Sequence, residues 1–258
     1  KLLRMQKIYI GLGKTFLIYL NSIYLGVITP GRIGEFTKVI FLKNVSNLDI
    51  SKGFSSVLVD RIFDLYLLIT IGLIGVWKFK LFGMISSGFN AVLIILIFSP
   101  LLILNKRIVE KCIKVLFTLV VTKKYKGKIS EGFEKFNSSV NQLINYKLIY
   151  SLLLTLLSYT VFFLQCYLTS LSLNLSISFI TITLIMSITN LISFVPITIS
   201  GLGTREAMLI FLFSLIGLSS EHAVAYSLLV FSVFYFGGAL LGLVAWMINP
   251  LNIKFDEN

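Results

Sequence analysis

Long apolar runs, separated by short polar segments, fill most of the sequence. The runs at 54–77, 148–171 and 222–248 are each long enough to cross a bilayer, since about 20 apolar residues span its hydrocarbon core. Further apolar runs lie at 90–104 and 174–195. A chain in lipid must satisfy its backbone hydrogen bonds internally, and helices do so. The pattern therefore predicts an all-α fold, a polytopic transmembrane helical bundle.

Two apolar regions are interrupted by short polar breaks. Region 15–42 is divided by the sequence PGRIGE, which ends at Glu35, and region 174–218 is divided by a segment from Pro196 to Glu206. Both breaks combine Pro and Gly with an Arg and a Glu. Irregular backbone at membrane depth is tolerated only when it is buried in protein or lines a wet cavity. We therefore predict two re-entrant or discontinuous helix regions.

The two interrupted regions also resemble each other. A shift of 171 residues places Glu35 on Glu206 and residues 56–59 on residues 227–230. Paired interrupted segments in the two halves of a membrane protein are typical of transporters and point to the binding site. The distribution of charge gives the halves opposite orientations, so we predict an inverted repeat. Its two half-repeats cover about 15–77 and 174–248.

Composition and charge support a membrane protein. Only 13% of the residues are charged, whereas about 25% are charged in a soluble domain, and this excludes an ordinary soluble enzyme. The net charge is +12, but ten basic and three acidic residues are concentrated at 105–147, between two apolar runs. This is the positive-inside pattern. We expect a multi-pass protein of the cell membrane with segment 105–147 and the N-terminus in the cytoplasm, and no nucleic-acid partner.

The two breaks supply the candidate substrate-binding residues. Helix N-termini favour anions, and the planar guanidinium of arginine fits a phosphate. We predict a shared cavity for the headgroup of a membrane lipid. Its residues are Arg32, Glu35, Gly201, Gly203, Arg205 and Glu206. The alternative is that each glutamate caps its own helix and pairs with the nearby arginine.

A second group of charges lies within the apolar run 54–77. It consists of Asp60, Arg61 and Asp64. Arg61 and Asp64 are three residues apart and can form an ion pair on one helix face. Charges inside a span are costly and face the bundle interior. One interpretation is a coupling or gating network that touches Arg32 and Glu35, and the other is a structural ion pair that fixes helix packing.

Other chemistry is not supported by the sequence. His222 is the only histidine, and the spacing of Cys112 and Cys166 indicates neither a disulfide nor a metal site. We therefore predict no metal, no cofactor and no catalytic residues. In the last apolar run, Gly238 and Gly242 form a G-x-x-x-G pattern, which predicts a close contact between helices.

Three segments together resemble a known family, the membrane domain of lysylphosphatidylglycerol synthases, also called the flippase-like or UPF0104 family. They are residues 30–38 (PGRIGEFTK), 59–64 (VDRIFD) and 196–206 (PITISGLGTRE). The resemblance covers nearly the whole chain and implies a single flippase-like membrane domain over residues 1–258. It also implies, for some members, translocation of aminoacylated phosphatidylglycerol or a related lipid. The chain starts at Lys1 without Met, so we expect an N-terminal truncation that removes the family's usual first membrane helix.

We accordingly predict a lipid flippase or transporter that moves a phospholipid or an isoprenoid-phosphate-linked lipid between leaflets. One alternative is a membrane-embedded enzyme that acts on a lipid phosphate, with Glu35 and Glu206 as acid and base. Another is a non-transporting membrane subunit of a lipid or glycan biosynthesis system. We expect a membrane lipid as the ligand and a synthase or glycosyltransferase as a partner. These 258 residues contain no counterpart of the soluble domain that attaches the amino acid in full synthases, so we do not expect aminoacylation.

Overall fold

The computed structural model describes residues 1–29, 32–46, 50–81, 135–136, 138–140, 142–143, 147–195, 198–248 and 250. Every regular element in these ranges is a helix, which confirms the all-α prediction for the described part of the chain. Several predicted features lie outside the described residues. These are the apolar run 90–104, most of the basic segment 105–147, and the two proline-containing pairs 30–31 and 196–197.

The helices follow the apolar runs. They are α1 (Leu2–Met5), α2 (Leu12–Val27), a short 3-10 helix (Ile33–Thr37), α3 (Lys38–Ser46), α4 (Ile50–Lys78), α5 (Leu148–Ser172), α6 (Phe179–Ser193), α7 (Thr204–Ser214), α8 (Ser220–Val230), a π-helical segment (Phe231–Phe236) and α9 (Gly237–Ile248). α8, the π-helical segment and α9 form one continuous helical stretch of 29 residues, Ser220–Ile248.

Two helical stretches in the described ranges are long and apolar enough to cross a membrane. They are α5 and the continuous stretch Ser220–Ile248. α4 also contains 29 residues, but Asp60, Arg61 and Asp64 interrupt its apolar sequence. The charged helix α4 therefore lies among helices that are more uniformly apolar.

Helical continuity is lost at both polar breaks. α2 ends at Val27, and a regular α-helix resumes only at Lys38. Arg32 has a left-handed backbone (φ 59°), which an α-helix cannot accommodate. At the second break, α6 ends at Ser193 and α7 begins at Thr204. The polar breaks are thus real interruptions of the helices.

The second interrupted region begins later than its apolar run predicts. Residues 174–178 are not helical, and α6 starts at Phe179. The Ser178 hydroxyl accepts a hydrogen bond from the backbone N–H of Thr181 (3.2 Å), which is the N-cap interaction that starts a helix. The run 174–195 predicts an apolar segment, but the Ser178 cap determines where the helix begins within it.

The main core lies where α4, α5, α6, α7 and α8 meet. One buried side chain from each helix illustrates it: Leu68, Phe163, Ile185, Leu212 and Tyr226. α4 and α6 approach closely because two glycines of α4 face α6. A Cβ at Gly72 would lie 2.9 Å from Leu191 Cδ1, and a Cβ at Gly75 would lie 2.9 Å from Ile188 Cδ1. This contact fixes the charged helix α4 against the helix that precedes the second break.

α9 packs closely against α2, so two helices that are far apart in the sequence are in contact. A Cβ at Gly242 would lie 2.4 Å from the carbonyl oxygen of Leu20 and 2.7 Å from Tyr24 Cβ. A Cβ at Gly238 would lie 3.3 Å from Ile23 Cγ2. The close helix contact predicted from the G-x-x-x-G pattern is confirmed, and its partner is the helix that leads into the first break.

Gly242→Ala is expected to destabilise the protein by about 1–3 kcal/mol, because the added methyl group would contact the backbone of α2 and force the helices apart. Gly237→Ala in the same helix is the matched control, since the nearest atom to its Cβ lies at 3.6 Å, an ordinary contact. Thermal unfolding of the detergent-solubilised variants measures the difference. Equal melting temperatures for the two variants would show that α2 and α9 do not depend on this close approach.

Candidate functional site

A cavity of about 840 Å³ lies between α2, the 3-10 helix, α4, α5, α6 and the π-helical segment. Its volume is in the range of small-molecule sites, about 300–1,000 Å³. Seven of the described residues that line it are charged: Lys1, Arg32, Glu35, Lys38, Asp60, Arg61 and Asp64. Five of these seven were candidates from the sequence, and Lys1 and Lys38 were not.

Glu35 is the centre of this charged group. Glu35 is only 3% exposed. Its carboxylate contacts three cations. Arg32 Nη2 lies 2.7 Å from Oε1, Arg61 Nη1 lies 2.9 Å from Oε2, and Lys38 Nζ lies 3.6 Å from Oε2. A carboxylate can be buried when ion pairs replace its hydration in this way.

The 3-10 helix explains why Arg32, Glu35 and Lys38 meet. A 3-10 helix has about three residues per turn, so side chains three positions apart lie above one another. Arg32 and Lys38 flank the Ile33–Thr37 helix on either side, with Glu35 between them. In an α-helix, residues three apart would still be neighbours, but residues six apart would point about 120° away from each other. Lys38 follows Glu35 by three residues, as Glu35 follows Arg32. This spacing indicates that Lys38 belongs to the group only once the 3-10 conformation is known.

Arg61 joins the break to α4. Besides Glu35, it contacts Asp60 Oδ2 at 3.1 Å and Asp64 Oδ2 at 3.0 Å through Nη2. The ion pair between Arg61 and Asp64 thus forms as their spacing predicts. The Asp60 side chain is 42% exposed, so water screens its contact more than the others. Three cations and three carboxylates balance, with Arg61 shared by all three acids.

Small residues allow Glu35 to be buried. A Cβ at Gly26 of α2 would lie 2.6 Å from Glu35 Cγ, so α2 leaves room for this side chain only with glycine there. The Thr29 hydroxyl donates to the Leu25 carbonyl (2.9 Å) and accepts from the Gly34 N–H (2.7 Å). These bonds attach the 3-10 helix to the end of α2. Neither Gly26 nor Thr29 was a candidate from sequence, where each reads as an ordinary residue of an apolar helix.

The second break has a different environment. Arg205 is fully buried, with Nη2 3.0 Å from Glu206 Oε1 and Nε 3.1 Å from Ser227 Oγ. The Ser227 hydroxyl donates to the same Glu206 oxygen (2.6 Å). The other Glu206 oxygen accepts a hydrogen bond from the backbone N–H of Gly203. Glu206 therefore makes the contacts of the capping alternative at the start of α7.

The glycines of the second break shape the chain. Gly201 and Gly203 have positive φ angles of 74° and 86°, which glycine adopts without strain. A Cβ at Gly201 would also lie 2.8 Å from Ser193 Cβ. The structure does not place these glycines, or Arg205 and Glu206, in the lining of the cavity that contains Arg32 and Glu35.

The two breaks nevertheless lie against each other. The Ser200 hydroxyl donates a hydrogen bond to the carbonyl oxygen of Val27, at the end of α2. The ring of Tyr235 faces both arginines, with centroid distances of 5.5 Å to Arg32 and 4.9 Å to Arg205. Tyr235, in the π-helical segment, is thus an aromatic bridge between the breaks. No sequence signal distinguished it from the other aromatic residues of the last apolar run.

Comparison with known proteins identifies the family. The family model described as "Lysylphosphatidylglycerol synthase TM region" matches residues 2–242. Two UPF0104 membrane proteins of Methanocaldococcus jannaschii are similar to the chain. One is 27% identical over 249 residues, with 90% of this chain and 74% of the relative covered. The other is 28% identical over 236 residues, with 89% of this chain and 96% of the relative covered.

A UPF0104 membrane protein of Methanothermobacter thermautotrophicus is 24% identical over 259 residues, which cover 90% of this chain and 72% of the relative. No solved structure matches the chain. The family match includes both polar breaks and the charged helix α4, the segments that carried the resemblance in the sequence. The chain therefore belongs to the lysylphosphatidylglycerol synthase transmembrane-region family, and it is a membrane protein.

Proposed function

We propose that this membrane protein moves a phospholipid or an isoprenoid-phosphate-linked lipid between the leaflets of the cell membrane, with the headgroup in the charged cavity. The observation that carries the proposal is the Glu35–Arg61 ion-pair group, which lines a cavity inside an apolar helical protein. Ionisable residues within a membrane domain are costly, and they mark substrate or ion pathways.

Arg32 is the residue best placed to bind the phosphate. Among the described residues it contacts one carboxylate, whereas Arg61 contacts three. The Arg32 side chain is also 30% exposed, compared with 18% for Arg61. Part of its planar guanidinium is therefore available to form charge-assisted hydrogen bonds with phosphate oxygens. Lys38, which also contacts Glu35, adds a second positive charge.

The outer surface of α5 fits contact with acyl chains. A row of its leucines is between 43% and 61% exposed: Leu152, Leu153, Leu156, Leu157, Leu164 and Leu168. Large contiguous apolar surface marks contact with a membrane or a partner. Leu154 and Val161 of the same helix line the cavity and are about half exposed. A lipid could thus keep its headgroup among the charges while its chains remain along α5.

The two interrupted regions support an alternating-access mechanism. We propose that they are re-entrant, related as an inverted repeat, and that they rearrange around the contact between Ser200 and Val27. In this proposal segment 105–147 faces the cytoplasm, and a synthase or glycosyltransferase supplies the lipid. In many secondary transporters interrupted helices form the binding site, and the two repeats move around it.

Reconstitution into liposomes tests the function. The protein should accelerate exchange of an acyl-labelled phosphatidylglycerol, or of a short-chain isoprenyl phosphoryl glucose, between leaflets, as measured by a membrane-impermeant quencher. Arg32→Ala should slow this movement about 10- to 100-fold, because it removes charge-assisted hydrogen bonds of about 1.5–3 kcal/mol. Lys14→Ala, at an exposed position of α2, is the control and should match the unmodified protein. Movement at the protein-free rate for both lipids would refute the proposal.

A further inference from the structure

The ion pairs of the cavity balance in charge. We call the six residues that they join in the described part of the chain the ion-pair group: Arg32, Lys38, Arg61, Glu35, Asp60 and Asp64. Lys1 also lines the cavity, but it is exposed and its Nζ lies over the ring of Tyr150 (5.8 Å), so water screens its charge. With three cations and three carboxylates, the ion-pair group has no net charge when its acids are ionised.

A phosphodiester that enters the cavity changes this balance. It carries one negative charge, so the ion-pair group and the ligand together have a net charge of −1. Net charge inside a membrane domain is costly. One proton, bound to a carboxylate of the group, restores neutrality. The empty cavity and the cavity with both lipid and proton are then neutral, whereas the cavity with the lipid alone is not.

The carboxylates are the groups that can accept the added proton. Arginine and lysine side chains are already protonated when charged, and a tyrosine phenol is already neutral. Besides the ion-pair group and Lys1, the charged or titratable residues described in the cavity lining are Tyr19 of α2, Tyr159 of α5 and Tyr235 of the π-helical segment. α6, which packs against α4, contributes uncharged side chains to the lining, such as Asn190.

Asp64 is the buried carboxylate with the weakest charge compensation. Glu35 contacts three cations, and the Asp60 side chain is 42% exposed and therefore hydrated. The Asp64 side chain is only 13% exposed, and in the described ranges one cation, Arg61, contacts it. That contact uses Arg61 Nη2, which Asp60 also contacts. Like charges four residues apart on a helix repel each other, and a proton on Asp64 removes this repulsion.

A metal cation fits this position less well than a proton. It needs several oxygen ligands, and the Asp60 and Asp64 oxygens that could supply them are held by Arg61, whose guanidinium repels a cation. A proton needs one carboxylate oxygen. It can reach Asp64 through the cavity, since this side chain belongs to the lining.

We infer that Asp64 is a proton-binding site, and that one proton crosses the membrane with each phosphodiester lipid. This inference rests on the proposed function and adds the coupling ion. A proton from water adds to a carboxylate oxygen of Asp64 when the lipid enters, and it returns to water on the other side when the lipid leaves. No bond of the lipid breaks and no electron is transferred. The lipid therefore moves from the acidic to the alkaline side.

Liposomes with a pH gradient test the coupling. The full chain is reconstituted with acyl-labelled phosphatidylglycerol, potassium and valinomycin hold the membrane potential at zero, and a membrane-impermeant quencher reports the leaflet distribution. One proton per lipid predicts an enrichment of up to about tenfold per pH unit in the leaflet that faces the alkaline side, because a pH unit is a tenfold ratio of proton concentrations. Liposomes without protein should stay symmetric over the same time.

Asp64→Asn should abolish the enrichment, because an amide has nearly the same shape as the carboxylate but binds no proton at these pH values. Asp60→Asn is the matched control. It removes the same charge from the same helix and from the same Arg61 nitrogen, and it should keep the enrichment whatever its rate of exchange. Enrichment by Asp64→Asn equal to that of the unmodified protein, or its loss in both variants, would overturn the assignment to Asp64.

Proton uptake on binding tests the same site without transport. Dihexanoyl phosphatidylglycerol is titrated into the full chain in detergent, by calorimetry in buffers with different ionisation enthalpies. Between about pH 5 and pH 8, the unmodified protein should take up to about one proton per bound lipid, and Asp64→Asn should take up none. Binding without proton uptake by the unmodified protein would overturn the inference.

The outcomes separate this inference from the proposed function. Leaflet exchange that ignores the pH gradient would overturn the proton coupling and leave transport standing. A distribution that follows a sodium gradient or the membrane potential at equal pH would also overturn it. Proton uptake on binding without leaflet exchange would support the proton site at Asp64 and refute transport. Absence of both binding and exchange would refute both.

Discussion

Arg61→Ala should lower the free energy of unfolding by about 3–5 kcal/mol, the largest effect we expect from any single charge in the cavity. Arg61 contacts Glu35, Asp60 and Asp64 within 3.1 Å. Among the described residues, its removal would leave the Glu35 carboxylate with two cations and Asp64 with no cation at contact distance. Uncompensated carboxylates in a membrane domain repel each other and are costly to bury.

Unfolding of the detergent-solubilised protein with denaturant measures this loss. Arg61→Lys should recover only part of the stability, because a compact ammonium group cannot extend two nitrogens toward three carboxylates as guanidinium does. Lys14→Ala removes one exposed positive charge and serves as the control for net charge. A stability for Arg61→Ala within 0.5 kcal/mol of the control, roughly the scatter of surface substitutions, would contradict the central role of Arg61.

Gly34→Ala should cost about as much as the loss of Arg61, although it changes no charge. A Cβ at Gly34 would lie 2.1 Å from the carbonyl oxygen of Leu25 and 2.4 Å from its carbon, both backbone atoms of α2. The 3-10 helix would have to move, and the hydrogen bond from the Gly34 N–H to Thr29 would break. Overpacking of about 1–3 kcal/mol and a lost hydrogen bond of about 1 kcal/mol together give roughly 2–4 kcal/mol.

Gly13→Ala on α2 is the matched control, because its Cβ would have no atom within 4 Å. Alanine is the better helix former, so this change should be neutral or stabilising by up to about 1 kcal/mol. Measured unfolding free energies that are equal for Gly34→Ala and Gly13→Ala would show that the break tolerates a side chain at position 34. A decrease confined to Gly34→Ala would confirm the steric constraint that holds Glu35 in place.

The apolar runs predicted the helices well because a membrane leaves the backbone few choices. α4, α5 and the stretch Ser220–Ile248 follow the runs 54–77, 148–171 and 222–248 within a few residues. The breaks were also predictable, since proline, glycine and charge together cannot continue a helix in lipid. The start of α6 was not, because one hydroxyl of Ser178 sets it and the apolar run extends on both sides of that position.

The chemistry of the two breaks was only partly predictable. The 171-residue shift pairs Glu35 with Glu206, but it also places Ser232 at the position of Arg61 and Leu209 at the position of Lys38. Glu206 consequently contacts one cation, Arg205, where Glu35 contacts three. Similar breaks thus have different partners because their basic residues lie at different positions: the shift also places Gly203 at the position of Arg32.

The cation–π contacts of Tyr235 illustrate what the sequence cannot provide. Tyr235 faces Arg32 and Arg205 across the boundary between the two breaks. Which aromatic residue occupies that place depends on the rotation of the last helical stretch about its own axis. A run of Phe and Tyr residues at 231–236 contains several equivalent candidates. Only the packing of this stretch against α2 selects one of them.

The π-helical segment Phe231–Phe236 also determines which side chains of α9 face α2. A π turn accommodates one more residue than an α turn, so it offsets every later side chain by about 100° relative to a continuous α-helix. Tyr235 can therefore face the arginines while Gly242 faces α2. Deletion of one residue from the segment would turn Gly242 away from Leu20. We expect a homologue without the extra residue to carry its small residue at a shifted position, which an ungapped alignment would misplace by one.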